Sequence, residues 1–298
     1  MNAIAHTKKG LVTCVFDTTD RIQHMFYRYL DPSHPANAGK DTEQYRNTLE
    51  DLYQRMDQML GRIRAQLGND TRTLLCVISD HGFTQFKRGV NLNAWLRDQG
   101  LLALKDGKQT GGDWFESVDW ARTKAFSLGL TGLFINRKGR ERNGIVGEGA
   151  ELAQVRKQIK EGLLRLRDPK DDSLVVLNVF ETDEVFDGPY KLEAPDLLIG
   201  YNHGFRNSWD CATGAVSKDV FSDNTKSWSG DHCVDPRIVP GVLFSSRRVE
   251  LERPHLMDLA PTVLKLFGVP VPGYMKGRSI FEPATRPSLE LQLTEAGA

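Results

Sequence analysis

The sequence predicts an α/β fold built on a largely parallel sheet with helices on both faces. Three observations carry that expectation. Leu11–Phe16, "LVTCVF", is a short β-branched apolar run of the kind a buried parallel strand shows. Leu74–Ile78, "LLCVI", has the same character. Between them Tyr45, Leu49, Leu52, Tyr53, Met56, Leu60, Ile63 and Leu67 recur at helical spacing and make one apolar stripe. Strand, helix, strand is a βαβ unit, and such units make neighbouring strands parallel.

The elements follow in order. Asp41 and Gln44 form a capping box for the long helix, and Gly68-Asn69 stops it. Residues 92–98 read as a short helix closed by Gly100, and 124–135 as strand material kinked by glycine. A second amphipathic helix over 149–167 puts Leu152, Val155, Ile159, Leu163 and Leu166 on one face. Residues 173–180, 196–201 and 241–246 read as strands, and 256–268 as a helix stopped by Gly268. Residues 1–282 are expected to form a single domain, with the less regular 101–190 as a cap or side layer and 283–298 as a polar tail.

The totals exclude some functions. Lysine plus arginine and aspartate plus glutamate number 39 each in 298 residues, so no nucleic-acid polymer is called for by charge. Arg137, Lys138, Arg140 and Arg142 read as a solvated turn. Of four cysteines, Cys14 and Cys76 sit in apolar runs and read as buried thiols. No apolar run approaches a membrane span, and the start has no signal-peptide plan, which points to a soluble cytoplasmic protein.

In an open α/β sheet, ligands gather at the carboxyl ends of strands. Asp80 and His81 stand directly after the second apolar run, and Asp17 and Asp20 after the first. His24 is four residues beyond Asp20, so on a helix the two share a face. In Gly230-Asp231-His232 the glycine allows the backbone close to a ligand. Oxygen and nitrogen donors of this kind suit zinc or manganese. Any one such pair is more often a cap or a surface pair than a metal site. Three acid/histidine groups at three strand ends are harder to explain that way. His203 competes with His232 as a ligand, while His6, His34 and His255 read as surface or cap residues. Arg21, Asn91, Asn93 and Arg206 fit cleft lining and ordinary turn or helix-end roles equally well.

"FDTTDRIQH" (16–24), "SDHGF" (79–83), "GDHCVDPRIVPGVLF" (230–244) and "MDLAPTVLKLFGVPVPGYMKGRSI" (257–280) together resemble the alkaline phosphatase superfamily. Within it they resemble the type I phosphodiesterase/nucleotide pyrophosphatase branch. The resemblance implies an alkaline-phosphatase-like fold and two divalent ions, zinc ahead of manganese. Asp20, His24 and His232 match the ligands of one ion, and Asp80 and His81 two ligands of the other. The implied activity is hydrolysis of phosphate esters, with small phosphodiesters or nucleotide pyrophosphates as substrates and no membrane partner.

One departure accompanies the resemblance. The family's second ion also takes an aspartate from the first strand of the fold. A threonine or serine nucleophile follows at a helix N-terminus, well before the Asp-x-x-x-His motif. Only nineteen residues precede Asp20, and Thr18 and Thr19 read as a strand end, so no catalytic nucleophile is assigned. The expectation is an N-terminally incomplete chain, impaired alone. The alternative is a non-catalytic metal-binding remnant, or a subunit completed by a separate chain that supplies the missing segment.

Overall fold

The computed structural model describes residues 1–282, and the tail expected over 283–298 lies outside the described residues. In chain order the helices are α1 (Asn2–His6), α2 (Thr18–Phe26), α3 (Thr48–Leu67), α4 (Leu92–Asp98), α5 (Ala150–Leu164), α6 (Thr182–Val185), α7 (Trp209–Ala212) and α8 (Leu259–Leu266). The strands are β1 (Cys76–Ile78), β2 (Thr84–Val90), β3 (Ala125–Leu128), β4 (Gly132–Ile135), β5 (Val176–Glu181), β6 (Leu197–Tyr201), β7 (Gly204–Asn207), β8 (Phe221–Asp223), β9 (Gly230–Asp231) and β10 (Leu243–Ser245). The chain divides into two compact units. One takes Met1–Gln66 and His81–Pro240, the other Leu67–Asp80 and the residues from Gly241 on.

The larger unit holds two four-stranded sheets. In one, β2 pairs with β7 in parallel and with β8 and β9 antiparallel. In the other, β3-β4-β6-β5 is antiparallel throughout. The core of the unit is one apolar cluster running from Val90 to Val239. Helix α4 enters it because Asn91 accepts the Ala94 N–H as an N-cap, and Leu92, Ala94 and Leu96 then bury completely. The Leu152, Val155, Ile159 and Leu163 stripe of α5 is buried, and α5 packs on β5 and β4.

In the smaller unit β1 and β10 pair antiparallel, Val77 opposite Phe244. The Asp-x-x-Pro-Thr helix start has a structural use there. The Asp258 carboxylate accepts the Arg278 N–H at 2.9 Å, and the Thr262 hydroxyl accepts the Ile280 N–H at 2.9 Å, which ties the closing loop to α8.

The largely parallel sheet does not form. The described residues make three small sheets, mostly antiparallel, with β2–β7 the parallel pair. Leu11–Phe16 carries no strand, and Leu11 and Val15 are 59% and 91% exposed. Without a ladder partner, β-branched side chains do not make a strand, so there is no βαβ unit around α3. A three-residue link joins β3 to β4, and a link that short turns the chain back antiparallel.

Other corrections are local. Cys14 is exposed, because the 11–16 run is not packed, and Cys76 in β1 is half-buried. Helix α3 begins at Thr48, and the Asp41 side chain accepts the Glu43 N–H of a separate 3-10 turn. Arg137 and Arg140 are not solvated; both reach the buried Asp196 carboxylate. None of the described helices is long and apolar enough to cross a membrane.

Candidate metal centre

Four side chains of the larger unit meet at one carboxylate oxygen. Helix α2 puts Asp20 and His24 on one face at the i, i+4 spacing, with His24 Nε2 3.5 Å from Asp20 Oδ1. His232, just past β9, brings its Nε2 to 3.8 Å of the same oxygen, and His81 to 4.0 Å. One ligand atom each of Asp20, His81 and His232 lies within 4.8 Å of the others. The His81 and His232 rings stack at 3.6 Å.

The backbone fixes which imidazole nitrogen faces inward. His24 Nδ1 is 2.7 Å from the Gly230 carbonyl, and His81 Nδ1 is 2.9 Å from the Gly82 carbonyl. A carbonyl only accepts, so each Nδ1 carries the proton and each Nε2 keeps its lone pair. Glycine makes the helix–strand approach feasible. A Cβ on Gly230 would stand 2.5 Å from the Gln23 carbonyl oxygen of α2. The glycine therefore admits the helix, where the sequence suggested a ligand. The Ser229 N–H donates to the His24 carbonyl at 2.6 Å and closes the same contact.

Around the imidazoles lies an apolar and hydrogen-bonded rim. Trp228 stacks on His24 at 3.8 Å, and Phe83 sets its edge against His24 at 4.8 Å and His232 at 5.4 Å. Asp231 Oδ1 accepts the His232 and Cys233 N–H groups, while Oδ2 accepts from Arg206 Nη1 and Trp228 Nε1. Burial, the largest effect, raises the Asp231 carboxyl, but the Arg206 charge and these donors together hold it below the usual carboxylate range. Burial first, and then the repulsion that a second imidazolium beside His81 would meet, keep His232 below the ordinary imidazole value. Burial and then the Asp231 charge push Cys233 up to about 12, so it stays a thiol at neutral pH and offers no anionic sulfur.

Among protein-family models, that of type I phosphodiesterase / nucleotide pyrophosphatase matches residues 2–232. The chain belongs to that family. A search of the curated proteins finds no match. The phosphodiesterase match ends on His232 itself, and membership carries hydrolysis of phosphodiester or pyrophosphate bonds as the family's chemistry.

The other candidate residues of this phosphodiesterase-family chain sort as follows. Asp80 belongs to the smaller unit and is exposed. Exposed His203 meets the Thr84 hydroxyl at 3.0 Å and is outside the metal-competent group. Thr18 and Thr19, expected at a strand end, open α2, and the Thr19 hydroxyl donates to the Phe16 carbonyl. Asn91 and Asn93 are buried in hydrogen bonds to α4 and β3, Arg206 is buried on Asp231, and exposed Arg21 pairs with Asp17. Sequence reasoning missed Phe83 and Trp228, although both aromatics lie within four residues of a candidate histidine.

Proposed function

We propose that Asp20, His81 and His232, with His24, hold a divalent metal ion, zinc first, and that the chain uses it on phosphodiesters or nucleotide pyrophosphates. The observation that supports this most is the three imidazole Nε2 atoms turned on one carboxylate oxygen while Nδ1 of two of them is bound to carbonyls. The donor set fits. A tetrahedral zinc with its usual bond lengths sets ligand atoms roughly 3.3–3.5 Å apart. The Asp20–imidazole separations of 3.5–4.0 Å need only a slight contraction. When bound, such an ion supplies Lewis-acid polarisation and charge neutralisation at a phosphoryl group.

The protein's own groups do the rest. The Gly230 and Gly82 carbonyls hold two rings in the ligating tautomer. Trp228 and Phe83 cover the rings with apolar surface, which strengthens electrostatic interactions beside them. Asp20, in the first turn of α2, is placed by a helix end that favours negative charge. The proposal is for one ion, because Asp20, His81 and His232 are the metal-competent group found among the described residues.

Elemental analysis of chain purified without chelator should show about one zinc per chain, the complement of an open site with three or four protein ligands. His232→Ala should remove it, whereas His203→Ala should not. Retention in His232→Ala rejects the assignment. With zinc, turnover of bis(p-nitrophenyl) phosphate by this chain alone should be slow, since the sequence matches no family nucleophile. Fast turnover abolished by Thr18→Ala or Thr19→Ala would overturn that expectation and identify the nucleophile.

A further inference from the structure

We infer that the buried Arg206–Asp231 ion pair positions the metal-facing imidazoles of His232 and His24. The inference rests on the metal reading above. Arg206, on β7, is fully buried, with its guanidinium 4.4 Å from the Phe86 ring centroid and 4.1 Å from that of Trp209. Asp231, on β9, is 1% exposed, and the two meet at 2.8 Å. Burying two charges is expensive. Replacing such a pair by apolar groups is often neutral or stabilising, so stability alone is a poor reason to keep it. One Arg206 nitrogen, Nη2, even lacks a protein partner.

What the pair does accomplish is visible at the carboxylate. Asp231 has room for about four hydrogen bonds, and it accepts four. Two come from the N–H groups of His232 and Cys233, at 2.9 Å each, and they fix the backbone that carries the His232 ring. A third comes from Trp228 Nε1 at 2.9 Å, and the Trp228 ring lies flat on His24. One carboxylate thus sets the direction of two imidazoles through separate routes. Arg206 holds that carboxylate from the far side by charge, with a fork wedged between two aromatic faces that allow it little play. Arg206 and Asp231 touch no substrate in this scheme; they are positioning residues.

The test uses the full chain and zinc itself. Asp231→Asn keeps the volume and the acceptor for the two backbone N–H groups, but turns an amide NH₂ towards the Arg206 and Trp228 donors. It should bind zinc about 10–100-fold more weakly in competition with a chromophoric chelator, the usual effect of losing a group behind a ligand. The visible spectrum of its cobalt(II) form should change, because ligand geometry changes. Arg206→Lys, which keeps the charge without the fork, should fall between Asp231→Asn and the unmodified chain. A merely structural pair would lower the melting temperature and leave zinc affinity and the cobalt spectrum alone, and that result overturns the inference. Should Asp231→Asn fail to fold, Trp228→Phe removes the indole donor and keeps an aromatic ring on His24. It should weaken zinc in the same direction, and unchanged affinity there also overturns the inference. If the unmodified chain holds no zinc, the metal reading falls and takes this inference with it.

Discussion

His34 shows at the scale of one residue how burial and hydrogen bonding choose a protonation state. Its Nε2 donates to the Phe86 carbonyl at 2.9 Å and its Nδ1 accepts the Ala36 N–H at 3.1 Å, in a 1% exposed site. Both nitrogens are satisfied only when the ring is neutral. Burial first, and then the Lys87 charge, lower its pKa below the ordinary imidazole value, although the Phe86 bond works the other way. The unfolded chain therefore binds a proton at His34 before the folded one does. Its contribution is fully present above about pH 6.5, the unfolded value, and is lost as pH falls through the lowered folded value. Urea unfolding at a series of pH values should show stability dropping over that window. In His34→Gln the drop should be shallower, and an identical pH slope in the two proteins would reject the role. The sequence marked His34 as a cap or surface residue. It does cap the 3-10 turn at Pro35–Asn37, but the burial comes from the distant Phe86 and was not legible locally.

At the scale of elements, the contact of α2 with β9 decides whether the metal-facing groups meet. Gly230→Ala should separate them, because the added Cβ would strike the Gln23 carbonyl and the Tyr27 side chain, at 2.5 and 2.8 Å. Overpacking of this kind typically costs about 1–3 kcal/mol. The variant should lose stability in urea and also bind zinc more weakly, and unchanged zinc binding would show that α2 has slack. The helical spacing of Asp20 and His24 was readable from sequence, as was α4 with Gly100 after it. Strands β2, β7, β8 and β9 were not. They carry polar residues such as Lys87, Arg88 and Asp223, so no apolar run announces them. Yet β2 and β9 build the wall behind His24 and His232. The candidate ligands were legible because acids beside histidines are chemically conspicuous. Their grouping was not, because His81 joins Asp20 through pairings far apart in sequence.

Across the larger unit, Asp196 links distant pieces of chain. Its fully buried carboxylate meets Arg137 and Arg140 beyond β4 and Arg156 on α5, and accepts the Ile135 N–H at 2.7 Å. Asp196→Asn would leave three guanidinium groups facing one neutral amide. Breaking a buried ion pair on one side costs roughly 3 kcal/mol or more, which should appear as a lowered urea midpoint with zinc affinity little changed. Sequence reading placed α/β elements along the chain but gave the wrong pairing direction, since apolar runs specify burial and not the neighbour a strand will find. The Leu11–Phe16 run is the clearest instance, and its exposure has a practical consequence. It is six uncharged, β-prone residues without proline, with Val15 almost wholly bare to solvent. Such a stretch is a template for cross-β stacking between molecules. Concentrated solutions should therefore cloud and bind thioflavin T on storage, and Val15→Lys should delay that onset while leaving the folded chain's zinc affinity as it was.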